Sequence, residues 1–314
     1  MMKNFKIIIP PRMSGCRLDA VLAEMLPDYS RSKISSWIKA GDVLIEQSKF
    51  KPKDKSTGSE IISLNVYEKS YSKWNPENIP LDIVFEDDDI IVINKPYGLV
   101  THPGSGNWTG TLANALLYYD SSLSRLDRAG IVHRLDKNTS GLMVVSKNEK
   151  SQKFLVEQLQ MHAVEREYSA IVYGHMISGG SIDEPLGRDP KDRVKQSVLS
   201  NGKDALTHFR VIDRFKSHTH VKAILETGRT HQIRVHLSYI GHPLIGDPVY
   251  GGRVRFPKKA SQELKIVLSN FHRHALHSKK LSLSHPVTGK LMSWKAELPD
   301  DMKELVNTLR KFDS

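Results

Sequence analysis

The stretch I-V-H-R-L-D-K-N-T-S-G-L-M-V-V-S-K, residues 131–147, sets a crowded polar turn directly against an apolar run. Leu142 to Ser146 is short and rich in β-branched side chains, and reads as a buried strand. Ahead of Gly141, the side chains of His133, Arg134, Asp136, Lys137, Asn138, Thr139 and Ser140 fill seven of eight positions with polar groups. Loops held by a rigid scaffold are where reactive groups tend to lie, and Asp136 stands there between cations. Local sequence leaves a second reading equally open, in which Asp136 only caps its own turn through an Asx-type hydrogen bond.

Working outward, the following segments read as a helix at Lys150 to Met161 and a strand at Glu167 to Tyr173. Further strands are expected around Ala205 to Ile212, Thr219 to Leu225 and Leu281 to Leu283, with helices at Ser261 to Arg273 and Asp301 to Phe312. Upstream, Ile83 to Glu86 and Ile90 to Asn94 form a strand–turn–strand pair, and Thr111 to Tyr119 a compact helix. Short turns separate these strands as often as helices do. That argues for an α+β domain with a mixed, mainly antiparallel central sheet flanked by helices.

The N-terminal part has a different character. Residues 1–13 hold a brief β-like run, Phe5 to Ile9, before Pro10-Pro11, and are expected to be a flexible lead-in. Leu18, Val21, Leu22, Met25 and Leu26 then recur at helical spacing. Ser30 is placed to cap a second helix, Arg31 to Lys39, on which Ile34, Trp37 and Ile38 share one face and Arg31, Lys33 and Lys39 are free to reach solvent. Strands at Val43 to Glu46 and Glu60 to Val66 follow. The polar, proline-containing stretch after them divides the chain into a small α/β domain at 14–70, a linker at 71–80 and a larger domain at 81–314.

Composition limits the function classes. Formal charge is +11 with a pI near 9.5, which suits a polyanionic partner. No apolar run nears the roughly 20 residues that span a bilayer. One cysteine, Cys16, excludes an intrachain disulfide and points to a reducing cytoplasm. Gly104, Gly106 and Gly110 miss the spacing of a nucleotide-binding loop, so no cofactor is expected. The histidine pairs His231/His236, His272/His274 and His218/His220 lack zinc-type spacing, so no metal is expected either.

H-R-L-D-K-N-T-S-G at 133–141 resembles the signature of the RluA/RluD family of RNA pseudouridine synthases. V-I-N-K-P-Y-G-L-V-T-H-P-G at 92–104, E-T-G-R-T-H-Q-I-R-V-H-L at 226–237 and H-P-L-I-G-D-P-V-Y-G-G at 242–252 fall in the family's order. The likeness runs from about residue 15 to about residue 310. Residues 15–43 are similar to an S4 domain, a small RNA-binding module, although Glu46-Gln47-Ser48 replaces its usual V-N-G-like turn.

The resemblance implies a pseudouridine synthase fold and a monomer that isomerises uridines without cofactor or metal. It implies large-subunit (23S) ribosomal RNA as substrate, in the helix 69 hairpin. Asp136 would be the essential group, Arg229 its ion-pair partner, and Tyr168 the ring that stacks on the uracil and takes part in C5 proton transfer. Leu244 would wall the uracil pocket. Arg134 would fill the space of the flipped base, with Thr139 and His133 beside the substrate. In the S4-like part, Arg17, Arg31, Lys33 and Lys39 would contact phosphates. The competing readings are a catalytically silent RNA-binding assembly factor, a base-flipping glycosylase, and a related synthase acting on another RNA such as tRNA.

Overall fold

The structure, a computed structural model, describes residues 2–27, 29, 31–67, 74–104, 107–192 and 194–313. Ser30, residues 71–73 of the expected linker and Gly106 lie outside that set. The first domain contains β1 (Met2–Ile8), α1 (Leu18–Met25), α2 (Arg31–Ala40), β2 (Val43–Ile45) and β3 (Ile61–Tyr67). Its antiparallel sheet has the order β1-β3-β2. Leu18 and Leu22 of α1 and Ile34, Trp37 and Ile38 of α2 close over Val43, Ile62 and Leu64.

The flexible lead-in expected at residues 1–13 is instead an edge strand and its anchor. Strand β1 pairs with β3 from Met2↔Tyr67 to Ile8↔Ile61, and Ile9 and Met13 are buried in the core. The β-like run at Phe5 to Ile9 is visible in the sequence, but the partner of this edge strand lies far along the chain, so local sequence does not show that the run is paired.

The turn after β2 is a two-residue hairpin loop, with Ile45 and Ser48 exchanging backbone hydrogen bonds across it. Glu46 and Gln47 have φ of 46° and 68°, the left-handed region that two-residue hairpins demand and that Asn-Gly supplies most cheaply. Gln47→Gly is therefore expected to stabilise the protein by about 1 kcal/mol. A urea midpoint that moves up at constant slope would register it, and an unmoved or lowered midpoint would refute it.

The second domain holds β4 (Ile83–Glu86), β5 (Ile90–Lys95), α3 (Leu112–Tyr119), β6 (Ser140–Ser146), α4 (Glu149–Gln160), β7 (Glu165–Tyr173), β8 (Gly180–Asp183), β9 (Leu186–Arg188) and β10 (Gln196–Val198). It continues with β11 (Leu206–Arg214), β12 (His218–Leu225), α5 (Gln232–Tyr239), α6 (Gln262–Asn270), β13 (Leu276–Ser284), β14 (Leu291–Lys295) and α7 (Asp300–Phe312). The main sheet runs β4-β5-β6-β13-β7-β12-β11-β8, with β14 also on β13. All its strand pairings are antiparallel except β6 with β13, so the sheet is mixed and mainly antiparallel, as expected from sequence.

Both faces of the central strands are covered. Met143 and Val145 of β6 join Tyr168, Ala170 and Val172 of β7 under α3 and α5. Leu142 and Val144 point the other way, towards α4, while Ile171 and Tyr173 meet α6 and α7. Burial on both faces explains why β6 reads as a continuous apolar run rather than an alternating one. The polar turn feeds directly into it. Gly141 is what allows the join, because a Cβ there would lie 2.2 Å from the Ser278 carbonyl oxygen of β13, at φ +111°.

Candidate active site

The Asp136 turn is held from behind, through its backbone. The Asp136 carbonyl accepts from Thr139 N–H at 3.0 Å, and Thr101 Oγ1 donates to the Leu135 carbonyl at 2.7 Å. Lys95, 1% exposed, reaches the carbonyls of Pro96, Leu99 and Lys137 at 2.8, 2.9 and 3.3 Å. Burial draws its ammonium down to about 7. Backbone support of this kind leaves the Asp136 carboxylate free to face a cavity. Among the described residues its side chain meets the Arg234 guanidinium and the His231 ring, not the amides of its own turn, so the Asx-cap reading fails.

The arginine that meets it is Arg234, not Arg229. Arg234 Nη1 donates to Asp136 Oδ2 at 3.0 Å. The expected Arg229–Asp136 pair does not form: Arg229 is exposed, and its Nε donates to the Asp204 carbonyl at 3.0 Å. The reason is local. His231, with φ 59°, caps α5 in the left-handed region, so Arg229 stays in the preceding turn while Arg234 projects from the buried helix. The other edge of Arg234 is gripped by Asp247, Nε to Oδ2 at 2.8 Å and Nη2 to Oδ1 at 3.0 Å. That fork fixes the plane of the guanidinium and hence the direction from which it meets Asp136.

Burial alone would raise the Asp136 pKa, but His231 and Arg234 outweigh it and hold the carboxyl below its ordinary value. His231 Nε2 lies 3.8 Å from Asp136 Oδ2, yet burial lowers the pKa of its own ring. Arg234 is therefore the cation that persists at neutral pH. His274, lowered to about 4 chiefly by burial, shares a hydrogen bond of 2.7 Å with Thr139 Oγ1. Thr139 thus supports the turn while lining the cavity.

The cavity, about 560 Å³, gathers Asp136, Tyr168, His133, Arg134, Thr139, Arg229, His231 and Arg234 along its walls. Tyr168 is 5% exposed, and burial raises its phenol while the Arg166 charge opposes that shift. His133 Nε2 accepts from Val144 N–H at 3.0 Å, and burial pushes its ring to about 3, so the imidazole is neutral. Arg134 and Arg128 are exposed at the mouth.

Leu244, expected as the apolar wall of the uracil pocket, is fully buried against Val172 and does not line the cavity. Ile131, Leu225, Ile233 and Leu276 are among the apolar residues that do line it. Leu276 begins β13 next to the polar turn, a position that only the long-range β6–β13 pairing reveals.

In the first domain, Arg17 and Arg31 both clamp buried Asp19, with contacts of 3.0–3.1 Å and 2.7 Å. Arg17 first, and Arg31 with it, hold the Asp19 carboxyl down to about 2 against burial. Half of each arginine side chain remains exposed, so the shared carboxylate presents two fixed cations to solvent. Lys33, expected to face solvent, is a correction: it pairs with Glu149 and lies over the Tyr29 and Trp37 rings. Lys39 is exposed as expected.

Comparison with known proteins follows the same division of the chain. A model described as RNA pseudouridylate synthase matches residues 89–239, and an S4 domain model matches residues 16–62. The "Ribosomal large subunit pseudouridine synthase D" of Yersinia pestis is 51% identical over 94% of this chain and 91% of its own. The protein of that name from Xanthomonas campestris pv. campestris is 46% identical over 97% and 92%. A solved structure, "Human RNA Pseudouridylate Synthase Domain Containing 4", is 28% identical, covers 73% of this chain and 93% of that one, and superposes with a TM-score of 0.57. Identity of that extent, over nearly the full length of both chains, establishes that this chain belongs to the RNA pseudouridylate synthase family and carries an S4 domain beside its catalytic one.

Proposed function

We propose that the chain converts specific uridines of large-subunit ribosomal RNA to pseudouridine, in the cytoplasm, with Asp136 as the essential group. The observation that carries the reading is the Asp136 carboxylate, ionised and aimed by Arg234 into a cavity that also contains buried Tyr168. Isomerisation breaks the N1–C1′ bond, turns the freed uracil over and joins C5 to C1′. An ionised carboxylate acts at the sugar, as nucleophile at C1′ or base at C2′. The Tyr168 ring and the apolar wall hold the base while it turns, and the phenol serves the loss of the C5 proton.

A base inside folded RNA reaches such a cavity only after flipping, and exposed Arg134 at the mouth suits the vacated space. The names of the relatives supply the ribosomal target, and the helix 69 hairpin is the first region to map. Pseudouridine profiles of ribosomal RNA from cells with and without the protein test this. Unchanged profiles in the large subunit would refute the target. A cleavable abasic site in place of an isomer of unchanged mass would refute the reaction.

The S4 domain supplies phosphate contacts under this reading. Lys39→Gln is expected to flatten the dependence of log affinity on log salt by about one phosphate contact, without changing the single-turnover rate. A full salt slope for the variant would take Lys39 out of the RNA surface.

A further inference from the structure

A second arginine in the cavity is left unused by that mechanism. Arg166 alternates with Tyr168 on one face of β7, lines the cavity and is 6% exposed. Its guanidinium makes, among the described residues, one hydrogen bond, Nη2 to the Glu226 carbonyl at 3.1 Å. Among the described residues it meets no carboxylate, and its buried Nε has no partner. Arg234, in contrast, is gripped by two carboxylates. A buried cation left without a counter-charge is costly, and the cost is offset where an anion arrives in use.

The position of Arg166 narrows the choice of anion. RNA phosphates pass the mouth, where Arg128, Arg134 and Arg229 are exposed. Arg166 lies instead in the buried part of the lining, two residues from Tyr168 on the same face of β7, and its charge reaches both Tyr168 and His133. The guanidinium bonded to Asp136 is that of Arg234. Asp136 and Tyr168 therefore each have a buried arginine at hand, Arg234 bonded to the first and Arg166 two residues from the second on β7. We propose that Arg166 is a further catalytic residue, which stabilises the negative charge on the uracil while it is detached from the sugar.

The proposal rests on the isomerisation reading above and accounts for its least favourable moment. When N1–C1′ breaks, the bonding pair leaves with the base, and the charge spreads over N1, O2 and O4. The charge is discharged when C5 bonds to C1′, C5 loses its proton and N1 gains one, so atoms and electrons balance without a co-reactant. A fixed guanidinium in a water-poor site stabilises such a charge far better than water-exposed groups do.

Single-turnover measurements on a short RNA carrying the target uridine, and on the same RNA with 5-fluorouridine there, test it. The readout is loss of the N-linked nucleoside, because fluorine blocks C5 proton release. Arg166→Met is expected to slow the uridine RNA by on the order of a hundredfold, with Kd and its salt slope unchanged. The loss should shrink for 5-fluorouridine, whose detached base is less basic and needs less stabilisation. Gly228→Ala is the second variant and leaves the arginine in place. An added Cβ there would lie 2.7 Å from Arg166 Nη1 and push the guanidinium aside, so the same substrate dependence is expected.

A weakened Kd with a shallower salt slope and an unchanged rate would make Arg166 a phosphate contact and overturn the proposal. An equal loss for both RNAs would overturn it too. That loss belongs to the Tyr168 phenol if the alkaline limb of the pH–rate profile moves, and to packing if only the melting temperature falls. Wild-type protein that leaves the uridine RNA unaltered would refute the isomerisation reading instead, before either variant is compared.

Discussion

Asp136→Asn is expected to reduce single-turnover pseudouridine formation below detection while RNA affinity is largely retained. The amide keeps the shape of the carboxylate and can still accept from Arg234 Nη1, but it is neither a nucleophile nor a base. Affinity is expected to survive because phosphate contacts supply most of it, and under the reading proposed above these fall to Arg17, Arg31, Lys39 and the exposed arginines at the cavity mouth rather than to Asp136. Fold should survive as well, since Arg234 keeps both bonds to Asp247 and the turn is held through its backbone carbonyls. Sustained turnover by a clean preparation of the variant would remove Asp136 from the essential role.

Local patterns made most of the second domain legible. Apolar strands, Gly turns and capped helices lie within single stretches, and α3, α6 and α7 begin within a residue of where the sequence places them. Helix α5 escaped because it is buried from Gln232 to Leu237, so no polar stripe marks its outer side. The error over Arg229 came from carrying the family's arginine onto the wrong one of two in the motif, and recognising α5 would have corrected it. Without a helix starting at Gln232, the two arginines of G-R-T-H-Q-I-R are equivalent, and the spacing alone cannot say which turns inward. The Gly241 that follows the run is the stop signal that could have revealed the helix. Leu276 was missed for a different reason: it reaches the cavity only because β13 runs parallel to β6 over His277↔Ser140 and Ser278↔Gly141. Pairing across so long a loop leaves no local signature. Arg17, Arg31 and Asp136 stood in the sequence as charged loop or helix residues, but that Asp19 joins the two arginines, and that Arg234, held by Asp247, meets Asp136, comes from the fold.

Replacing Arg234 separates orientation from charge. In Arg234→Lys a single ammonium faces two carboxylates, Asp136 and Asp247, and cannot present the planar fork that meets both. The charge is kept and the direction is lost. A reacting group displaced by about 1 Å can lose on the order of a hundredfold in rate, and that loss is expected at every pH. Arg234→Met removes the charge as well. Burial already acts to raise the Asp136 pKa, and without the guanidinium that effect is opposed only by the neighbouring histidines, so the acidic limb of the pH–rate profile should move upward. Asp247, fully buried, then keeps, among the described residues, the backbone N–H groups of Val249 and Tyr250, at 2.9 and 3.1 Å. Breaking a buried pair of this kind costs roughly 3–5 kcal/mol, so the methionine variant must first be shown to be folded at the assay temperature. Single-turnover rates are the quantity to compare, because only they report chemistry rather than RNA release. Arg229→Met is the control: its exposed guanidinium rests on the Asp204 carbonyl, and its loss is expected to leave both the saturated rate and the acidic limb in place. Should Arg229→Met move the limb and Arg234→Met not, the ion pair seen in the structure would not be the one that sets the state of Asp136 during the reaction.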